Sequence, residues 1–228
     1  LFALKQALEL YDFYNQQIQA CDAEIERNYA AIKPVFQNQT PSLPPASKKK
    51  RRSKNEPAFD LHHYLYQITG VDLTQIDGLD VLTVQQIISE TGTDMSPWPT
   101  VKHFASWLTL APHNHISGGK VLRSRTQKST NRAAQAFRMA AQSAGRSQSA
   151  LGAFYRRMRA KHGGPKAITA TAHKIARIFY HMLKHKQHYI DPGQDHYQQK
   201  CRERVLKNLK QKAKDLGLDL VPLQSGVS

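Results

Sequence analysis

The segment His113-Asn114-His115-Ile116-Ser117-Gly118-Gly119-Lys120 sets a hydroxyl beside two glycines and an ammonium group, with two imidazoles just upstream. Arg123, Arg125, Lys128 and Arg132 follow within a short stretch. A serine that attacks a phosphodiester needs its alkoxide stabilised. It also needs fixed cations against the negative charge that crowds onto pentavalent phosphorus. Arginine serves the second need well, because its fork matches two phosphate oxygens. Glycines let a backbone approach DNA closely. A serine in a glycine-rich loop is more often a plain loop residue, so these residues alone leave both readings open. With Pro112, Gly118 and Gly119 and no periodicity, 112–128 is expected to be a loop.

The charge around this segment favours a phosphate partner. Residues 1–100 carry a net charge of −3 and residues 101–228 a net of +19. Within 101–190 there are 17 Lys and Arg and no Asp or Glu. A fold needing only a soluble surface would mix the signs, whereas an all-positive surface of this size seeks nucleic acid. Membrane binding would require an exposed apolar face beside the charge, and no apolar run reaches spanning length.

The elements that must position these residues read as mainly α. Leu4, Tyr11, Ile18, Ile25 and Ile32 recur at sevens, with Ala7, Tyr14 and Cys21 three residues after the first three. That spacing predicts a coiled-coil helix over 1–33, ended by Pro34. It fits a helix packed on its own domain as well as a hairpin or dimer arm. Residues 34–58 form a proline-rich linker holding the run Lys48-Lys49-Lys50-Arg51-Arg52, which fits a nuclear signal, a solvated linker or, favoured in a chain this basic, a flexible phosphate contact. A compact helical domain over 59–222 and a tail over 223–228 complete the chain.

In that domain, Leu61, Tyr64, Leu65 and Ile68 mark one helix, and Leu82, Ile87 and Ile88 mark another over about 81–91. The turn Ile76-Asp77-Gly78-Leu79-Asp80 between them resembles a helix-hairpin-helix unit, which offers backbone N–H groups to phosphate. A plain helix pair is the competing reading, and a carboxylate at Asp80 would repel phosphate. Phe104, Trp107 and Leu108 predict a short core helix over 100–109.

Three basic helices follow. The first is capped by Ser129 or Thr130 and buries Phe137 and Ala141. The second buries Leu151, Phe154, Tyr155 and Met158. The third, over 166–186, buries Ile168, Ala172, Ile175, Phe179 and Met182, and presents Lys174, Arg177, His181, Lys184 and His185 on another face. A last helix over 195–216 carries Tyr197, Val205, Leu209 and Leu216, and 217–222 is a candidate strand.

Cys21 and Cys201 read as unpaired thiols. His113 and His115, or His181, His185 and His188, lack the Cys or carboxylate partners usual at zinc, so they read as phosphate contacts or plain surface residues. The chain opens on Leu1 without a signal-peptide pattern, and a further upstream segment is expected.

From 59 to 222 the chain resembles the C-terminal part of bacterial insertion-sequence transposases, the bridge-RNA-guided recombinases that join a RuvC-like nuclease domain to a serine domain. The resemblance rests on ordered pieces. They are Ile76-Asp77-Gly78-Leu79, the segment Phe104 to Pro112, Ser117-Gly118-Gly119-Lys120, Arg125, Lys128, Asn131-Arg132 and Ala140-Ala141. Phe154 to Arg157, Lys166-Ala167, Ala172 to Ile175, Tyr180 to Leu183, Tyr189 to Gly193 and Asp195 to Tyr197 continue the order. The N-terminal helix is similar to the coiled coil that links the family's two halves. The resemblance implies that Ser117 attacks DNA to form a transient phosphoserine, among phosphate-binding Lys120, Arg125, Lys128 and Arg132. Arg123, Asn131, Lys174 and Arg177 are further expected nucleic-acid contacts. Three positions depart from the pattern: Asp80 and Thr109 stand where glycine is common, and Ile116 replaces a polar or acidic residue.

The family's four metal-binding carboxylates belong to the RuvC-like half. A Mg²⁺ cofactor is therefore expected in that half and none in this chain, which should hold only part of an active site. The implied partners are DNA, a structured guide RNA and further copies of the chain, as a dimer or tetramer, in the bacterial cytoplasm at the nucleoid. Two other functions remain open: a noncatalytic nucleic-acid-binding module, and a helical assembly domain acting through 2–33.

Overall fold

A computed structural model describes residues 1–36 and 55–221. The Lys48–Arg52 run, most of the expected linker and the 223–228 tail lie outside the described residues. Eight helices and one two-stranded sheet make up what is described, so the molecule is mainly α.

Helix α1, Phe2–Ala31, forms over the heptad pattern but buries none of its residues. Leu4, Tyr11 and Ile18 face solvent. Among the described residues, only its C-terminal turns meet the body. Tyr29 packs against Phe59 and stacks on Tyr64, and the Asp22 carboxylate accepts from the Ala58 N–H at 3.2 Å. The chain just beyond α1 is docked too, because the Val35 N–H donates to the Gln67 carbonyl and Phe36 packs on Tyr66.

Helix α2, Leu61–Thr69, starts at Asp60, whose side chain accepts from the His63 N–H, and stops at Gly70 in the left-handed conformation. A 3₁₀ turn, Leu73–Gln75, follows. Its cap, Asp72, is buried. One Asp72 oxygen lies 2.9 Å from His62 Nε2 and accepts from the Thr74 hydroxyl at 2.7 Å and the Thr74 N–H at 3.0 Å. Burial pushes the Asp72 carboxyl up, but the hydrogen bonds from His62 and Thr74 and the His62 charge outweigh it, leaving the group below its ordinary value. A depressed carboxyl contributes stability above its unfolded pKa and loses it as pH falls through the folded one. Asp72→Asn is expected to cost about 1–3 kcal/mol at neutral pH. Urea unfolding should show that difference shrinking below about pH 4, the ordinary carboxyl range; a gap constant with pH would contradict it.

Helix α3 spans Val81–Thr91 and α4 spans Val101–Trp107, close to expectation. Phe104 sits at the centre of the core. Its ring contacts Trp98, Phe137, Phe179 and Tyr180 at centroid separations of 5.0–6.4 Å. Trp107 lies at the edge and stays 40% exposed. Helices α5, Arg132–Ala144, α6, Ala150–His162, and α7, Gly164–His185, pack on one another, and α3 lies on α5. The buried face of α5 is almost all alanine (Ala133, Ala134, Ala136, Ala140, Ala141 and Ala144, with Phe137). Small side chains let neighbouring backbones approach closely. The cap of α5 is Asn131, which accepts from the Ala134 N–H, rather than Ser129 or Thr130; Ser129 instead accepts from the Asn131 N–H.

Further departures have a common cause, the absence or presence of a covering element. In α6 only Leu151 of the expected four is buried, while Phe154, Tyr155 and Met158 are half-covered at the edge. Ile168 of α7 is likewise half-covered. Helix α8, Gly193–Asp215, buries no residue, so Val205, Leu209 and the following Leu216 are exposed. Residues 217–221 form no strand.

Thr109, where the resemblance leads one to expect glycine, has φ +54°, a left-handed backbone that a β-branched residue adopts at a cost. Its Oγ1 is buried without a hydrogen-bond partner. Thr109→Gly is therefore expected to stabilise the fold by about 1 kcal/mol, the relief of strain and desolvation exceeding glycine's entropic cost. Thermal unfolding reads this directly, and a lowered melting temperature would contradict it.

Candidate nucleic-acid interface

The segment expected to be a loop is a β-hairpin. Strand β1 is His113–Ser117, β2 is Lys120–Arg125, and they pair antiparallel. Gly118 and Gly119, at φ +54° and +75°, form the two-residue connection. Positive φ at both central residues suits the type I′ turns that match strand twist, and glycine takes them without strain. A Cβ on either glycine would meet no atom within 4 Å, so the tip is open. Every residue of both strands is exposed. The hairpin leaves the body after buried Leu110 and returns at Asn131, projecting as an arm.

The register sorts the side chains. His113 pairs with Arg125, His115 with Arg123, and Ser117 with Lys120. Alternate residues of a strand share a face, and directly opposed residues lie on the same side. Ser117, Lys120, His115, Arg123, His113 and Arg125 therefore occupy one face. An open cleft of about 450 Å³ runs beside it, lined by His113, His115, Arg123, Arg125 and Lys128. Ile116 pairs with Val121 and Asn114 with Ser124 on the other face, and a register shift leaves Leu122 without an opposed residue.

Lys120 thus lies opposite Ser117 at the tip, while Arg123, Arg125 and Lys128 gather farther down the arm. The other expected contacts do not join them on this face. Arg132 is ion-paired with Glu90 at 3.3 Å, and Asn131 is occupied as the α5 cap. Lys174 lies over the Phe154 and Tyr197 rings at 4.7 and 5.4 Å. Burial first, then Arg177, holds its ammonium below the ordinary value despite the opposing pull of Cys201 and Asp191. Arg177 is exposed on α7 with His181 and His185, whose rings stack. Burial, then the neighbouring His185, Arg177 and Lys184, holds His181 below its usual range, so His181 adds little to this patch's charge near neutral pH.

The features expected of a helix-hairpin-helix phosphate site are used internally. Gly78, at φ +95°, faces α5, where a Cβ would lie 2.2 Å from the Ala140 carbonyl oxygen. Asp80 caps α3 by accepting from the Thr83 N–H at 2.7 Å. The segment Tyr189 to Gly193 has an internal role as well. Asp191 accepts from the Ala150 N–H at the start of α6, from the Tyr189 hydroxyl and from the Gly193 N–H. Arg156 donates to the Gly145 and Ser147 carbonyls and to Gln194. Together they tie the start of α8 to α6.

Among the described residues no group of three or more His, Cys, Asp or Glu could hold a metal ion. The cationic face of the hairpin does not fit Mg²⁺, which requires oxygen ligands.

Residues 72–156 match the profile of the Transposase IS116/IS110/IS902 family. The match supports a bacterial insertion-sequence transposase, with DNA transposition or recombination as its general activity. It runs from the Asp72 cap through the whole hairpin to Arg156, so Ser117 and the surrounding cations lie inside it. No curated protein and no solved structure matches the chain. No described helix is long and apolar enough to cross a membrane.

The sequence signal that could have revealed the hairpin was the Gly-Gly pair. The pair does not suffice alone, because neither strand carries the alternation of apolar and polar residues that a buried face produces.

Proposed function

We propose that this chain is the DNA-joining part of an RNA-guided insertion-sequence transposase, and that Ser117 is its nucleophile. Ser117 Oγ bonds to a DNA phosphorus, the phosphorus–sugar oxygen bond breaks, and the freed sugar oxygen takes up a proton. A second sugar hydroxyl then attacks the phosphoserine and restores the serine. Lys120, Arg123 and Arg125 neutralise charge on the phosphoryl oxygens. The carrying observation is the register, which puts Ser117 at the tip of a projecting arm on the same face as these cations. The RuvC-like half, a structured guide RNA and further copies of the chain complete the reaction.

The second reading, a noncatalytic binding module, is favoured by the solvent exposure of Ser117 and by the lack of any carboxylate in 101–190 to take its proton. Peptide mapping of a trapped covalent complex separates the two: DNA phosphate on Ser117 supports the first, and tight binding with no adduct supports the second.

Both readings require phosphate contacts. If Lys120, Arg123, Arg125 and Lys128 each neutralise one phosphate, they supply a slope of about −3.6 in log affinity against log salt. Converting the four to alanine is expected to flatten the measured slope by roughly that amount. Fluorescence anisotropy on a duplex over about 50–200 mM salt checks it. A slope unchanged by the substitutions would place the phosphate contacts elsewhere.

A further inference from the structure

The hairpin exposes apolar side chains that no described part of the chain covers. Ile116 is 64% exposed, Val121 55% and Leu122 71%. They lie immediately behind the Gly118-Gly119 tip. Ile116 and Val121 are directly opposed, on the face away from Ser117. The cations Arg123 and Arg125 sit farther down the arm on the Ser117 face. One face of a narrow ribbon is therefore cationic and the other apolar at its end.

We propose that Ile116 and Val121, with Leu122 next to them at the register shift, form a wedge that enters the base stack of the DNA whose phosphates the cationic face holds. This rests on the reading of the hairpin as a DNA contact and specifies the state of the DNA it takes. Charge complementarity selects the occupant: an apolar patch on an arm bearing Lys120, Arg123 and Arg125, with no carboxylate on either strand, is drawn to a polyanion with an apolar interior. A two-stranded ribbon fits a DNA groove, and apolar side chains inserted between base pairs unstack and kink the duplex. The register shift beside His115 suits this role, because a bulge re-aims its residue and bends the strand. The two faces then act at one step: the cations and Ser117 meet the phosphate, and the wedge displaces the adjoining bases and opens the backbone to attack.

The test compares the full chain with its Ile116→Thr/Val121→Thr/Leu122→Thr variant. Threonine keeps strand propensity, and circular dichroism verifies the fold. The probes are a fully paired duplex of about 30 base pairs, long enough to cover a single-module footprint, and the same duplex with a central two-base mismatch, which is already partly unstacked. A wedge spends part of its binding energy on unstacking, so the wild-type chain is expected to bind the mismatched duplex roughly tenfold more tightly. The variant should bind both alike, with its affinity for the paired duplex within about threefold of wild type. Equal wild-type affinities, or a preference that persists in the variant, overturn the wedge while leaving DNA binding intact. Should the variant change the oligomeric state by light scattering and keep the preference, the patch is a contact between copies and the wedge is wrong. Failure of the wild-type chain to bind either duplex at low salt would remove the DNA reading itself.

Discussion

Ser117→Ala, tested in the full assembly that the proposed function calls for, with a RuvC-like half and a guide RNA, is expected to lower strand joining by roughly 10⁴-fold or more, the scale on which removal of a covalent nucleophile acts. The phosphoserine adduct should vanish from denaturing gels and peptide maps. DNA affinity should stay within about twofold, since the change removes one neutral hydroxyl while phosphate charge supplies most of the binding. Stability should move by no more than about 0.5 kcal/mol, because the side chain is solvent-exposed at the end of β1. This combination separates chemistry from binding. Replacing Lys120, Arg123 or Arg125 should instead weaken binding and its salt dependence together. An adduct that survives Ser117→Ala would end the case for this nucleophile, whereas loss of affinity alongside activity would make Ser117 a binding residue.

Gly78→Ala is expected to be severely damaging for so small a substitution. At φ +95° an L side chain is strained from the outset. The added Cβ would also lie 2.2 Å from the Ala140 carbonyl oxygen and 3.1 Å from Ala144 Cβ. Backbone inside helix α5 cannot swing aside as a flexible side chain can, so the 76–80 turn must separate from α5. A cost of about 4 kcal/mol or more follows, among the largest that single substitutions produce, and a melting temperature roughly 10 °C lower. Gly92→Ala is the control. Gly92 also has positive φ, 69°, with an extended ψ of −175°, but a Cβ there meets nothing within 4 Å, so it should cost only the backbone strain, about 1–3 kcal/mol. Differential scanning calorimetry of the two variants decides the matter. Similar melting temperatures would mean that the turn is not packed against α5.

Gly78 also shows where reading by sequence runs short. A glycine between two amphipathic helices signals a turn, and the turn is there. Whether it faces a phosphate or another helix depends on Ala140, 62 residues away, and no local pattern carries that. Lys174 is similar: helical spacing places it on a face with Arg177 and His181, but the rings that cover it, Phe154 and Tyr197, come from α6 and α8. In α8 the error ran the other way. Val205 and Leu209 have the spacing of a buried stripe, and no other described element lies over them. Periodicity reports that a face is apolar, not that something covers it.

Helices α2, α3, α4 and α7 were legible because each buries a continuous stripe, and burial imprints its period on the residues. Asp60 and Asn131 show that polar residues at helix starts carry equally local information, though choosing Asn131 over Ser129 took the hydrogen bond itself. The hairpin escaped because it buries nothing.

By itself the sequence determined the helical class, the division of charge between the two halves and the carboxylate-free block around Ser117, since residue identity sets charge and local spacing sets helix formation without reference to distant contacts. Tertiary structure alone decided that Ser117 shares a face with Lys120, Arg123 and Arg125. Their alignment follows from cross-strand pairing and its register shift, and a slip of one residue would turn the serine to the opposite face.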